Sequence, residues 1–163
     1  MHTILALETS CDETAVAILR GNKLLASEVA SQREHEAYGG VVPEVASRNH
    51  LVHAPHLLES AVKEAGLALD EVDAFAATAG PGLASSLMIG ASIAKGLALG
   101  FGKPYLAMNH LEGHLLSPFF PGDFEITPNV SLIVSGGHTL LVEVRGVGQY
   151  RILGRTVDDA AGE

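Results

Sequence analysis

A duplicated α/β fold is the class this sequence predicts, and three observations predict it. Apolar runs of strand length alternate with helix-like stretches along most of the chain. A strand–turn–strand–turn–strand pattern over residues 3–29 recurs over residues 132–154. Both copies place a Ser before the first turn and a Thr just after it, Ser10 with Thr14 and Ser135 with Thr139. Finally, hydrophobic residues make up 47% of the 163 and charged ones 18%, with 18 glycines and no Trp. That profile belongs to a well-buried globular protein rather than a disordered or fibrous one.

Each element has its own local reason. Residues 3–9 and 14–20 read as strands around a tight Ser10-Cys11-Asp12-Glu13 connection, and Gly21-Asn22 is a hairpin signal into a third strand at 23–29. Tyr38-Gly39-Gly40 and Pro43 mark an irregular loop. From about Glu44 to Ala65 the pattern is helical, with Gly66 as terminator and Pro55 as a disturbance inside it. Residues 72–79 read as a buried strand, Gly80-Pro81-Gly82 as a turn, 85–99 as a small-residue helix and 104–108 as a short strand. A further helix begins at His110 and stops at Pro118 or soon after. Residues 132–142 then form strand, Gly-rich turn and strand, and a third strand follows at about 149–154.

The expected division is a first lobe over 1–128 and the opening strands of a second lobe over 129–163. The last residues, Asp158-Asp159-Ala160-Ala161-Gly162-Glu163, read as the start of a helix. A second sheet left without its cover suggests the N-terminal part of a longer protein; a natural half that dimerises is the alternative.

Charge and cysteine content narrow the function classes. The formal net charge is −9, so a nucleic-acid substrate needs basic surface supplied from elsewhere. Cys11 is the only cysteine, which excludes an internal disulfide and suits a reducing compartment. The N-terminal apolar run lacks a basic lead and is broken by Glu8, unlike a signal peptide. Residues 84–101 are apolar but contain Lys95, which favours a packed helix over a membrane span. The expectation is a cytoplasmic protein.

The chemistry-bearing residues begin with His110 and His114 in Asn109-His110-Leu111-Glu112-Gly113-His114. Four apart on a helix, they share a face and can reach one metal ion; the other reading is a pair of capped or core histidines. Zinc proteases place their catalytic Glu directly after the first His. Here Glu112 comes two positions later, about 200° around the helix, which disfavours protease chemistry. Gly113 would let a ligand or backbone approach. The two Gly- and hydroxyl-bearing turns can each offer backbone N–H groups and a Thr or Ser hydroxyl, Thr14 or Thr139 among them, to phosphate, or be ordinary hairpins. Facing each other, they would clamp a nucleotide, with Asp12 or Asp158 holding magnesium through water. Gly80 and Gly82 before a helix read either as a phosphate or ribose contact or as a close-packed turn. His50, His53 and His56 recur every three residues and fit a partly exposed helix face better than a metal site.

Taken together, Ser10-Cys11-Asp12-Glu13-Thr14, Gly39-Gly40-Val41-Val42-Pro43-Glu44, Thr78-Ala79-Gly80-Pro81-Gly82-Leu83, His110-Leu111-Glu112-Gly113-His114, Val134-Ser135-Gly136-Gly137-His138-Thr139 and Asp158-Asp159-Ala160-Ala161-Gly162-Glu163 resemble the TsaD/Kae family, once called O-sialoglycoprotein endopeptidase or glycoprotease. The resemblance spans essentially the whole chain, in the family's order. It implies the actin/Hsp70/sugar-kinase fold, with the first lobe complete and the second truncated. It also implies transfer of a threonylcarbamoyl group from threonylcarbamoyl-AMP to the adenosine beside the anticodon of tRNAs reading ANN codons.

On that resemblance, His110 and His114 are ligands of one divalent metal, iron or zinc, completed by an Asp absent from this chain. Ile133, Val134, Ser135, Gly136 and Gly137 form the strand-turn that binds the adenylate substrate. Asp12, Gly80, Gly82, His138 and Thr139 are candidate nucleotide or phosphate contacts. The implied partners are TsaB, TsaE, a TsaC-type adenylate-making enzyme and tRNA, with no membrane. Three other functions share these features in part: a metalloglycopeptidase, a non-catalytic partner module of the same fold, and a sugar or acetate kinase, which would not need the histidine pair.

Overall fold

The computed structural model describes residues 1–32, 35, 39–120 and 124–162; Tyr38 of the expected loop and Glu163 lie outside them. Alternating small and branched apolar residues form a meander of three antiparallel strands, β1 (Thr3–Glu8), β2 (Glu13–Arg20) and β3 (Lys23–Ser31). Two more strands, β4 (Ala74–Gly80) and β5 (Tyr105–Asn109), join in parallel to give the order β3-β2-β1-β4-β5. The parallel pairs need crossovers, which the helices α1 (Pro43–Ala65) and α2 (Ala84–Phe101) supply.

The pleat sorts side chains by face. Leu5, Leu7, Val16, Ile18, Phe75 and Ala77 are buried in one core with Ala61 of α1 and Ala94 and Ala98 of α2. Register brings Leu5 opposite both Ile18 and Phe75, and Leu7 opposite both Val16 and Ala77. Ile4, Ala6 and Glu8, the alternate residues of β1, therefore belong to the other face. Truncating Phe75, which is wholly buried, removes the largest piece of this core and costs about 3–5 kcal/mol.

α1 has Pro43 in its first turn and ends at Gly66, whose left-handed backbone donates its amide to Lys63 and Val62 carbonyls. The disturbance expected at Pro55 does not occur, because the helix runs 23 residues through it. Leu51 and Pro55 are both exposed, so water can serve the carbonyl that loses its partner. α2 is long and apolar enough by length and composition to cross a membrane. Its buried residues are Ser86, Gly90, Ala94 and Ala98, spaced four apart, and that small-residue stripe lets it lie close on the sheet. A Cβ on Gly90 would sit 2.6 Å from Thr9 Oγ1, which itself donates to Ser86 O and accepts from the Gly90 amide.

Packing divides the chain into two units, Met1–His110 and Leu111–Glu163. The expected boundary at 128/129 was placed where the strand repeat begins. The packing division falls earlier because Leu111 and Leu115 of α3 (His110–Leu116) belong with the strands that follow. Those strands are β6 (Asn129–Val134), β7 (Thr139–Gly146) and β8 (Gln149–Arg155), antiparallel in the order β6-β7-β8. The second meander predicted by the repeat is thus present. Ile133, Val142 and Val144 are buried with Leu115, while Val130, Leu132 and Val134 on the opposite side of β6 are exposed.

The helix expected to start near Asp158 is absent: residues 157–162 form bends and a turn. Side chains take the backbone groups a helix would need. Thr139 Oγ1 accepts from the Ala161 amide at 2.8 Å, and Thr156 Oγ1 donates to the Asp159 carbonyl at 2.7 Å.

Candidate functional site

In the first unit, the expected site residues collect where β1, β4 and β5 end. Glu8 closes β1 on the face away from α1 and α2. Its carboxylate accepts from the Ser10 amide and the Thr78 hydroxyl, and lies 3.3 Å from His110 Nδ1. Ser10 Oγ is 3.1 Å from the same nitrogen. Burial pushes the Glu8 pKa up, but hydrogen bonds from His110, Ser10 and Thr78 outweigh it and bring it down to about 2. Glu8 is therefore a carboxylate at neutral pH.

The turns on either side of Ser10 are one structure. The Leu83 amide donates to Ser10 O, and a Cβ on Gly82 would sit 2.6 Å from that same oxygen. Close packing accounts for Gly82 in this way, whatever else the turn contacts. Asp12 is half-buried, and its carbonyl accepts from the Gln32 amide. Cys11 is half-buried too; burial and then neighbouring Asp12 push its thiol up to about 11, so it is protonated at neutral pH.

The expectation of a partly exposed face for His50, His53 and His56 fails at His50, which is wholly buried. Its Nε2 lies 3.0 Å from Cys11 O, which can only accept, so Nε2 carries the proton. Nδ1 then accepts from the Thr14 hydroxyl at 2.8 Å and from Gln32 Nε2 at 3.3 Å. Gln32 Oε1 in turn takes a bond from His35 Nε2, and His35 Nδ1 accepts from the Val42 amide. Thr14, read as a phosphate-binding hydroxyl, is committed to this network. His53 is half-buried and His56 exposed.

In the second unit, His114, Leu115 and Pro118 together with Ser131 to Ser135 line an open groove of about 300 Å³. Three of the five expected substrate-binding residues, Ile133, Val134 and Ser135, are in that lining. Ile133 also belongs to the core, whereas Gly136 and Gly137 are exposed at the turn. The turn is closed by two bonds: the Ser135 amide donates to His138 O, and the His138 amide donates to Ser135 Oγ. Thr139 holds the Ala161 amide, and Gly162 lies against Ser135, where a Cβ would come within 2.5 Å of the Ser135 carbonyl carbon.

α3 carries His110 and His114 four residues apart, with His114 exposed. Two imidazoles at that spacing suit a divalent transition metal. Among the described residues, no group of three or more His, Cys, Asp or Glu gathers at one point, so the pair would need a further ligand. Glu112 accepts from Tyr150 OH at 2.7 Å, which fastens α3 to β8. No described backbone comes close to Gly113: among the described residues, a Cβ there would meet nothing within 4 Å, which leaves open space beside the helix.

Sequence reasoning missed Glu8, Thr78, Tyr150 and Gly162 as individual contributors. Glu8 did carry a signal, as the one charge in an apolar strand; Tyr150 carried none.

Comparison with known proteins agrees with these motifs. A family model described as tRNA N6-adenosine threonylcarbamoyltransferase, TsaD, matches residues 23–163. An enzyme of that name from Geobacter sp. (strain M21) is 53% identical over 162 residues, covering 98% of this chain and 47% of its own length. Another from Acidovorax sp. (strain JS42) is 52% identical over 167 residues, covering 98% and 48%. The chain spans about half the length of these curated relatives. Among solved structures, an uncharacterized Pseudomonas aeruginosa protein with similarity to peptidase YeaZ superposes with a TM-score of 0.66 at 25% identity, over 94% of this chain and 64% of that one. The ethanolamine utilization protein EutJ from Carboxydothermus hydrogenoformans gives 0.54 at 12% identity, over 98% and 52%, a likeness of fold alone. These neighbours give the chain the actin/Hsp70/sugar-kinase fold, and the sequence matches settle its kin: the chain belongs to the TsaD family.

Proposed function

We propose that this chain carries the histidine pair and the adenylate-binding turn of an enzyme that transfers threonylcarbamoyl from threonylcarbamoyl-AMP to the adenosine beside the anticodon of ANN-decoding tRNAs. The single observation that supports it is the groove in which His114 meets Ile133, Val134 and Ser135. A histidine suited to metal and a turn suited to an adenylate there border the same space.

His110 and His114 would hold iron(II) or zinc, with an Asp from outside this chain as the further ligand. The metal, when bound, supplies Lewis-acid polarisation of the carbamoyl or carboxylate oxygens. The chain's own residues orient and exclude. The exposed Gly136–Gly137 turn lets a ligand approach backbone donors without side-chain obstruction, and the Ser135–His138 bonds keep that turn in one shape. Asp12, Gly80, Gly82, His138 and Thr139 remain proposed nucleotide contacts, with magnesium at Asp12 or Asp158 a further element of the reading.

A net charge of −9 makes this chain a poor tRNA surface by itself, so basic partners complete the complex. Likeness to the YeaZ-related structure supports a partner of the same fold, TsaB; TsaE and a TsaC-type adenylate synthase complete the proposed set, in the cytoplasm.

The test is His110→Ala with His114→Ala in a protein of the relatives' full length that carries this sequence. Loss of both metal retention and transfer to tRNA is expected. Normal transfer by the metal-free double variant would sink the proposal.

A further inference from the structure

One carboxylate in this chain has more work than a strand end requires. Glu8 stands on a face of β1 otherwise made of Ile4 and Ala6, and it gathers three donors from three different elements: the Ser10 amide, the Thr78 hydroxyl and the His110 ring. The first two tie the β1–β2 turn and β4 together. The third does something else, because it acts on a ring with two nitrogens whose roles are interchangeable until a neighbour fixes them.

An ionised carboxylate only accepts. At 3.3 Å from Nδ1, Glu8 Oε2 therefore requires the His110 proton to be on Nδ1. Ser10 Oγ, 3.1 Å from the same nitrogen, can share that N–H as a second acceptor and offers no competing charge. With the proton on Nδ1, the lone pair is on Nε2. A histidine that binds metal through one nitrogen and gives the other N–H to a carboxylate is held in both tautomer and ring orientation, and its basicity rises.

We infer that Glu8 is a positioning residue for metal binding: its carboxylate fixes His110 with the proton on Nδ1, so that Nε2 is the ligating nitrogen. The inference rests on the reading of His110 and His114 as metal ligands. It adds a third residue, on a different element, to the chemistry of the pair. A purely structural Glu8 would stitch β1 to β4 through Thr78, and its loss would leave the His110 tautomer unchanged.

The test uses a protein of the relatives' full length that carries this sequence, with zinc(II) alone as probe and two readouts. Long-range nitrogen–proton NMR of nitrogen-labelled histidine reports the His110 tautomer without any substitution at Glu8. The expected result is a proton on Nδ1 before zinc is added; a proton on Nε2 overturns the inference even if every variant misfolds. Titration calorimetry then compares zinc affinity in the parent, Glu8→Gln and Glu8→Ala. Both variants are expected to bind about tenfold more weakly or worse. Glu8→Gln keeps one acceptor oxygen where Ser10 and Thr78 use two, so a companion Thr78→Val variant, which breaks the tie to β4 and leaves the carboxylate in place, separates stitching from positioning; Thr78→Val is expected to keep parent-like zinc affinity, and Glu8→Asp to recover part of the loss. Parent-like affinity in the Gln variant overturns the inference alone. A parent chain whose zinc binding survives loss of both histidines overturns the metal reading, and the inference with it.

Discussion

The Thr14 hydroxyl lies 2.8 Å from His50 Nδ1, with both side chains wholly buried between the first meander and α1. His50 serves three groups at once: it accepts from Thr14 and Gln32 and donates to the Cys11 carbonyl. His50→Leu matches volume but returns none of these bonds. Each buried group left unpaired costs about 1–3 kcal/mol, so the variant is expected to lose about 2–4 kcal/mol by urea denaturation. A loss below about 1 kcal/mol would show that water or rearrangement replaces the network.

The same residue sets a pH dependence. Burial lowers the His50 pKa below its ordinary value near 6.5, against the raising effects of Cys11 O, Glu8 and Asp12, while His53 adds to the lowering. The folded chain thus prefers the neutral ring more strongly than the unfolded chain does. Its contribution to stability is complete above about pH 6.5 and is lost as pH falls through the folded value. The parent's urea midpoint is expected to fall between pH 7.5 and 5.5 by more than that of His50→Leu; parallel curves would contradict this.

Much of the architecture was legible because periodicity reports on burial. Leu5, Leu7, Val16 and Ile18 announce their strands, and Gly66 announces the end of α1. His50 was misjudged because spacing along a helix does not say which residues across the sheet await a polar partner; Thr14 and Cys11 are 36 and 39 residues away. The turns at 157–162 escaped for a related reason, since Thr139 intercepts an amide 22 residues on. The spacing of the histidine pair was legible in the sequence, but Glu8, 102 residues from His110, becomes visible only when β1, β4 and β5 end at one edge of the sheet.

Gly90 gives a packing test. Ala is the better helix former, by about 1 kcal/mol, yet its Cβ would meet Thr9 Oγ1 at 2.6 Å. Gly90→Ala is expected to destabilise by about 1–3 kcal/mol. Adding Thr9→Ala, which removes the obstructing hydroxyl and methyl, should recover part of that. A double-mutant cycle with coupling near zero would mean that α2 moves away instead.

Gly162 offers the corresponding test beside the Ser135–Thr139 turn. A methyl there has backbone, not a flexible side chain, within 2.5 Å, so Ser135 must shift. Gly162→Ala is expected to move the amide resonances of Ser135 to Thr139 while leaving those of β1 to β5 in place. Unmoved resonances in that turn would show that the segment after β8 yields more readily than the turn does.

The alternation of β1 has a consequence for error. Leu7 points into the apolar core and Glu8, the next residue, points toward His110. Slipping β1 by one residue against its neighbours would exchange the two, placing a carboxylate under the helices and a leucine beside the imidazole. Burying that charge without its three donors would cost several kcal/mol, a sizeable part of the 5–15 kcal/mol that ordinarily holds a domain together. A chain folded in the wrong register would therefore lose stability together with the contact between Glu8 and His110. The apolar core thus selects the one register that brings Glu8 to His110.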